Sequence, residues 1–371
     1  MPIVSKRLAL GLLASVVACA PAPTRADPCD SLAKLDRLNT TITSARVVPA
    51  GTFRTPTYQR STPEIFNGYK KLPAFCRVQA TLAPSSDSRV QVEVWLPLAG
   101  WNGKYLGVGN GGYGGSIAYP RLGEAVNTGY ASASTDTGHE GKSTDTRWAN
   151  GHPEKRTDFD YRAIHEMTLM AKAAIEAFYG KAPSRSYFAS CSNGGRQGLM
   201  EAERYPADYD GVMSGAPAFH WGFDTFVEGN LDAFAARGGK LVIYHGSKDA
   251  PGATIDYYDR LISKMGRKPT DDFARLYIVP GMGHCGSGDV PNDFGQWLRP
   301  NADPQHSMLI ALERWVENGI PPESIVATQW RIDGDTTSGV VRTRPLCPYP
   351  QQARFAGSGN RDTAAGYSCR L

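Results

Sequence analysis

The chain has 371 residues, 41% hydrophobic and 20% charged, which is ample for a large core. Its 40 Lys and Arg against 36 Asp and Glu leave a formal charge of +4 with no basic run, and this argues against a nucleic acid partner. Beyond the N-terminus no apolar stretch is long enough to cross a membrane.

Residues 1–26 read as a secretory signal: Lys6 and Arg7, an apolar run from Leu8 to Ala20, and Thr24-Arg25-Ala26 as a cleavage site with a small final residue. Val16-Val17-Ala18-Cys19 offers a second reading, a bacterial lipobox that would make Cys19 a lipidated first residue. The mature chain is therefore expected to be secreted or periplasmic, with a lipid anchor at the cell envelope as the alternative. Apart from Cys19 there are six cysteines, Cys29, Cys76, Cys191, Cys285, Cys347 and Cys369, none in C-x-x-C spacing. An even set on an exported chain favours disulfides over metal thiolates.

Residues 27–371 read as one α/β domain. Short apolar runs bounded by Gly, Pro or Asp predict strands at 91–96, 104–108, 129–135, 186–190, 211–214, 240–245 and 275–279. Helical patterns lie between and after them, at 158–179, 194–205, 255–265 and 307–318, the second stopped by Pro206. Such alternation predicts a mostly parallel sheet covered on both faces. The segment after Pro345 is rich in Pro, Gly and Ser and reads as a surface segment pinned by Cys347 and Cys369.

"YFASCSNGGRQGLM", Tyr187 to Met200, places Ser192 between a strand and a helix. A nucleophile elbow needs small residues two positions either side of its serine, because the turn brings them together. Here they are Ser190 and Gly194, with Ser replacing the usual first Gly. A serine hydroxyl needs a base, and in α/β-hydrolases the order is Ser, acid, His. His284, in the loop "IVPGMGHCGSG", is the base this order selects, since His306 opens a helix and reads as a surface or capping residue. Asp249, just past the strand of "KLVIYHGSKDAPG", is the acid; Asp256 and Asp259 compete but lie in a helical pattern with exposed-face spacing.

Proton transfer requires Ser192 and His284 within ~3 Å. Cys191 and Cys285 each adjoin one of them, so their Cα atoms should fall within the ~4.4–6.8 Å that a disulfide spans. Cys191–Cys285 is therefore expected to tie the elbow to the histidine loop. Local neighbours then favour Cys29–Cys76 and Cys347–Cys369.

An oxyanion hole needs backbone donors. Asn193, after the serine, supplies one; the loop "GVGNGGYGGS" supplies the other, with Gly112 chosen and Gly111 its neighbour. The same loop contains a G-x-G-x-x-G at Gly109, Gly111 and Gly114, and Asp136 ends a later strand as a ribose-binding acid might. Pro120 and Gly123 argue against the helix that should then receive a pyrophosphate. Metal chemistry lacks spacing: His165-Glu166 has no second His, and His139 and His152 have no spaced partners. No cofactor and no metal are expected.

Cys191-Ser192, Asp249 and His284-Cys285 resemble the CS–D–HC pattern of the tannase and feruloyl esterase family, which includes the hydrolase of mono(2-hydroxyethyl) terephthalate. "WNGKYLGVGNGGYGG", "ASTDTGH", "DGVMSGAP", "RGGKLVIYHG" and "TRPLCPYP" are similar to family signatures, and the likeness runs from Cys29 onward. It implies an α/β-hydrolase fold, with Ser192, Asp249 and His284 as nucleophile, acid and base. Gly112 and Asn193 match the family's oxyanion positions, and Cys191–Cys285 its active-site disulfide.

Family members carry a large lid between the nucleophile helix and the acid-bearing strand, with a calcium site and the pocket for the aromatic acid. Here Ser192 and Asp249 are 57 positions apart, and 222–230 forms a short link where a lid would be inserted. The resemblance implies a serine esterase acting on small aromatic esters of feruloyl, galloyl or terephthaloyl type, and the short link departs from it, as in a naturally lidless member or one from which the lid was removed. A broad short-chain carboxylesterase is the alternative, and a non-catalytic binding protein on a hydrolase fold is the more distant one.

Overall fold

The computed structural model describes Met1 and residues 28–56, 68–300 and 302–371. The signal segment and Cys19 lie outside the described residues.

Among the described residues nine strands form one sheet in the order β1-β2-β3-β5-β4-β6-β7-β8-β9. Strands β1 (Thr40–Val48), β2 (Phe75–Leu82) and β3 (Val90–Pro97) form an antiparallel meander, and β3 pairs antiparallel with β5 (Ala131–Thr135). From β5 through β4 (Lys104–Gly107), β6 (Arg185–Cys191), β7 (Gly211–Gly215), β8 (Lys240–Gly246) and β9 (Ala274–Val279) every pairing is parallel. The predicted mostly parallel sheet is present, and the seven predicted strands fall on β3 to β9.

The sheet is apolar on both faces. In β8, Leu241 and Ile243 join one core while Val242 and Tyr244 join the other. The first core takes helices α2 (Ala163–Tyr179), α3 (Asn193–Arg204) and α4 (Gly252–Met265) through Met167, Leu199 and Tyr257. The second takes α1 (Tyr119–Asn127) and α5 (Met308–Asn318) through Leu122 and Leu312. Burial of such side chains stabilises by about 1.5–3 kcal/mol each, so both helical layers are held by the strand alternation itself.

Two readings are corrected. A helix does form around Pro120 and Gly123: Pro120 occupies the first turn of α1, where its missing N–H is not needed, and Gly123 packs against Tyr69 and Leu72. The helix read at 158–179 opens with a π turn, Asp158–Arg162, before α2. A hairpin of β10 (Ile325–Ile332) and β11 (Asp335–Leu346) and a pair of β12 (Gln352–Phe355) and β13 (Tyr367–Arg370) follow the sheet.

All three expected disulfides form: Cys29–Cys76, Cys191–Cys285 and Cys347–Cys369, with Cα separations of 5.5, 6.0 and 5.5 Å. Such pairing belongs to an oxidising compartment. No described helix is long and apolar enough to cross a membrane.

Candidate active site

The parallel strands end on one edge, where open α/β sheets bind ligands. Ser192 follows β6 there with φ 65° and ψ −129°, a conformation that costs a non-glycine residue about 1–3 kcal/mol. Three hydrogen bonds hold it: Ser192 N donates to Gly215 O (2.9 Å), and Ser192 O accepts from Arg196 N and Ala218 N (both 3.1 Å). The bend is also tight in packing. A Cβ on Gly194 would lie 2.0 Å from Ser190 Oγ, and one on Gly195 would lie 2.3 Å from Gly215 O. Ser190 is tolerated in place of the usual glycine because Gly194 opposite it is bare.

His284 follows β9, and Asp249 follows β8. His284 Nδ1 donates to Asp249 Oδ2 over 2.6 Å. A carboxylate only accepts, so Nδ1 carries a proton; in the neutral ring this leaves the lone pair on Nε2, the tautomer a general base requires. The Cys191–Cys285 bond joins the residue before Ser192 to the residue after His284, across 94 positions of chain.

His245, which the sequence reading passed over, completes this group. Its Nε2 lies 3.0 Å from Asp249 O and 3.1 Å from Asp249 Oδ2, and its Nδ1 is 2.7 Å from Thr254 Oγ1. Burial lowers its pKa below the usual histidine range, so it stays neutral, with Nε2–H donating and Nδ1 accepting.

The loop after β4 is locked to α3. Asn110 N donates to Gln197 Oε1 (3.2 Å), Gln197 Nε2 to Asn110 Oδ1 (2.9 Å), and Asn110 Nδ2 to Thr135 O (3.0 Å). Gly112 has φ +56°, and a Cβ there would lie 2.3 Å from Ser143 O, so glycine is required. Asn193, fully buried, opens α3; its Oδ1 accepts from Arg196 Nε at 2.7 Å. Arg196 is itself fully buried and donates to Asp160 O (2.9 Å) and Phe159 O (3.1 Å), and burial pushes its pKa down to about 10. No periodicity reveals a buried arginine in such a place.

The competing candidates go elsewhere. His306 Nδ1 is taken by Asp303 (3.0 Å), and Asp259 meets Tyr349 Oη (3.5 Å). The G-x-G-x-x-G loop is no phosphate cradle: the N–H groups of Tyr113, Gly114 and Gly115 already donate to Ser143 O, Gly111 O and Asp136 O. Asp136 is buried, accepting from Gln91 N (2.9 Å) and Gly138 N (2.8 Å).

The family's lid calcium finds no fit in 222–230. Its two carboxylates have other partners, Asp224 on Arg156 and Glu228 on Asn230. His165, set aside for want of a spaced partner, instead meets Asp208 (2.7 Å) and Glu201, whose ligand atoms all lie within 4.8 Å of one another.

A parallel sheet carrying a strained serine bend and a His–Asp pair on its C-terminal edge is the architecture of an α/β-hydrolase. The sequence profile described as "Tannase and feruloyl esterase" matches residues 76–233 and 224–370. The chain belongs to that family and is a carboxylic ester hydrolase.

It is 28% identical to an uncharacterized esterase of Xanthomonas campestris over 553 aligned positions, covering 98% of this chain and 94% of that protein. At least 553 − 371 = 182 of those positions have no residue here. It is 25% identical to "Probable feruloyl esterase B-1" of Neosartorya fischeri, covering 80% of this chain and 86% of that one. Among solved structures, feruloyl esterase B from Aspergillus oryzae superposes with TM-score 0.81 at 22% identity, covering 92% of this chain and 99% of that one. Tannin acyl hydrolase from Aspergillus niger gives 0.71 at 18%, covering 93% and 95%.

Proposed function

We propose that the protein is an exported serine esterase that cleaves esters of aromatic acids through an acyl-enzyme. Ser192 attacks the ester carbonyl, and His284 Nε2 takes its proton and returns it to the leaving alcohol. Asp249 fixes the imidazole and stabilises the imidazolium. The backbone N–H groups of Gly112 and Asn193 hold the oxyanion. Water, activated by the same His284, then releases the acid. The observation that carries this reading is the 2.6 Å His284–Asp249 bond, covalently tied to the Ser192 bend by Cys191–Cys285.

The aromatic acid rests on the names of the relatives, a feruloyl esterase and a tannin acyl hydrolase among them. Residues 222–230 take the place of a lid, a reading supported by the unmatched positions in the Xanthomonas alignment. Without a lid less of the ligand is buried, at ~25 cal/mol lost per Å² of apolar contact. Michaelis constants are therefore expected to be high and several ester classes accepted, which is where the broad carboxylesterase reading draws its support. The apolar N-terminal run and the disulfides favour a secreted or periplasmic location, with a lipid anchor at Cys19 as the alternative.

The test is a hydrolysis panel of methyl ferulate, methyl gallate, mono(2-hydroxyethyl) terephthalate and a short-chain nitrophenyl ester. Turnover of the aromatic acid esters, with labelling of Ser192 by a serine-directed phosphonate, is the expected result. Turnover of the nitrophenyl ester alone would favour the broad carboxylesterase, and no labelling would end the serine mechanism.

A further inference from the structure

Trp221 is one of ten large apolar side chains left exposed among the described residues, at 39%. Its ring stacks on Tyr113, with centroids 4.7 Å apart and planes 25° apart. Tyr113 follows Gly112 directly. Trp221 N donates to Ala218 O, and Ala218 N donates to Ser192 O (both 3.1 Å). One ring is therefore a single residue from a proposed oxyanion donor, and the other is two hydrogen bonds from the proposed nucleophile.

The pair is held rigidly. Phe223 packs on Phe159 (5.6 Å) and Trp148 (5.3 Å). Asp160, in the π turn, accepts the backbone N–H groups of Phe223, Asp224 and Thr225 at 2.8, 2.8 and 2.9 Å. A Cβ on Gly222 would lie 2.3 Å from Thr225 O, so the turn closes tightly behind Trp221. Arg196 joins Asp160 O to Asn193 Oδ1, which connects the turn to the other proposed oxyanion donor. An exposed indole on so constrained a turn loses little entropy on binding a flat ligand.

We propose that the Tyr113–Trp221 pair is the platform on which the aromatic ring of the ester's acid lies, a role that a larger lid would otherwise fill. This rests on the esterase reading above. The sheet decides which end of the ester it meets. Strands run β4-β6-β7-β8-β9, so Tyr113, after β4, lies on one side of Ser192 and His284, after β9, on the other; Trp221, after β7, is brought to the Tyr113 side by its stack on that ring. The leaving alcohol must face the histidine that protonates it. The acyl substituent is then carried the opposite way, over Tyr113 and Trp221. A planar ring conjugated to the carbonyl fits an offset stack there. A short aliphatic acyl group would not reach it.

The test compares wild type, Trp221→Ala and Trp221→Phe on three esters: methyl ferulate (aromatic acid), phenyl acetate (aromatic alcohol) and ethyl acetate (neither). Trp221→Ala should raise KM for methyl ferulate about tenfold and move the acetates by less than about twofold, while Trp221→Phe keeps most of the affinity. An equal change on all three esters, or none on methyl ferulate, overturns the platform. A change confined to phenyl acetate overturns the acyl-side assignment. Calorimetric binding of methyl ferulate to Ser192→Ala, with and without Trp221→Ala, reads the platform independently of turnover. Binding that depends on Trp221, together with a wild type that turns over none of the three esters, would sink the esterase reading and leave the platform standing. Binding indifferent to Trp221 would sink the platform alone.

Discussion

His245 Nε2 bridges the backbone and the side chain of Asp249, lying 3.0 Å from its carbonyl oxygen and 3.1 Å from Oδ2. The carboxylate that receives His284 Nδ1 is thus itself held by a second, buried imidazole, which the Thr254 hydroxyl fixes in turn. In the proposed mechanism His245 would act through Asp249, as a positioning residue. Loosening a catalytic group by about 1 Å can cost ~100-fold. His245→Ala is expected to lower kcat by about 10–100-fold with little change in KM. Steady-state kinetics on one ester measures this split. A lower Tm with unchanged kcat would show that His245 only packs.

Removing any member of a catalytic unit removes most of what the unit does. Ser192→Ala and His284→Ala should each cost on the order of 10⁴-fold or more in kcat, and Asp249→Asn somewhat less. His306→Ala should behave as wild type, since that ring is engaged by Asp303 at the surface. Inactivation by His306→Ala with survival of His284→Ala would reverse the assignment of the base.

The path from sequence to this site was uneven for physical reasons. Central strands such as β6 and β8 are buried on both faces, so they appear as continuous apolar runs between turn residues. The edge strand β1 alternates half-buried and exposed positions, "TTITSARVV", and no apolar run marks it. The strand-end places of Ser192, Asp249 and His284, and the meeting of the last two, were legible because chain order and strand ends restrict where such groups can sit. His245, Arg196 and Asp160 were not. Arg196 and Asp160 depend on partners 36 and 63 positions away in sequence, and a buried charge leaves no local period. His245 carried one faint signal, a polar residue near the end of an apolar strand four positions before an Asp. The rejection of a helix at Pro120 shows the opposite error. Position within the helix, which decides whether proline breaks it, is invisible until the start is known.

Cys191–Cys285 closes 94 positions of chain, a constraint worth up to about 4–5 kcal/mol on the unfolded state in the chain-entropy model. It also fixes the distance between two loops that no strand pairing joins, since β6 and β9 are separated by β7 and β8. The double variant Cys191→Ala, Cys285→Ala should still fold, because both cores are intact, but lose about 100-fold in kcat as the loops drift apart. Circular dichroism and kinetics on the same preparation separate the two effects. Full activity in the double variant, or free thiols at both positions in the unreduced wild type, would end this account.

Glu201 lies on α3 beside Asp208, 1% exposed, and both of its carboxyl oxygens lack a hydrogen-bond partner among the described residues. His165 Nδ1 and Lys172 Nζ both reach Asp208, at its carboxylate (2.7 Å) and its carbonyl oxygen (2.5 Å). Burial first, and the neighbouring Asp208 second, hold the Glu201 pKa well above the usual carboxylate range. Folded Glu201 therefore keeps a proton that the unfolded chain releases near its ordinary value of about 4.3. Above that pH the folded state binds more protons than the unfolded one, so stability falls as pH rises toward the raised value. Below it the two states bind equally and nothing is lost. Glu201→Gln imitates the neutral acid and cannot titrate. Its Tm should therefore fall less than that of wild type between about pH 5 and pH 8, and at the upper end it should be at least as stable. A Gln variant less stable than wild type at pH 8, with a wild-type Tm that drops on adding EDTA, would mean that Glu201 is ionised and that a cation sits among His165, Glu201 and Asp208.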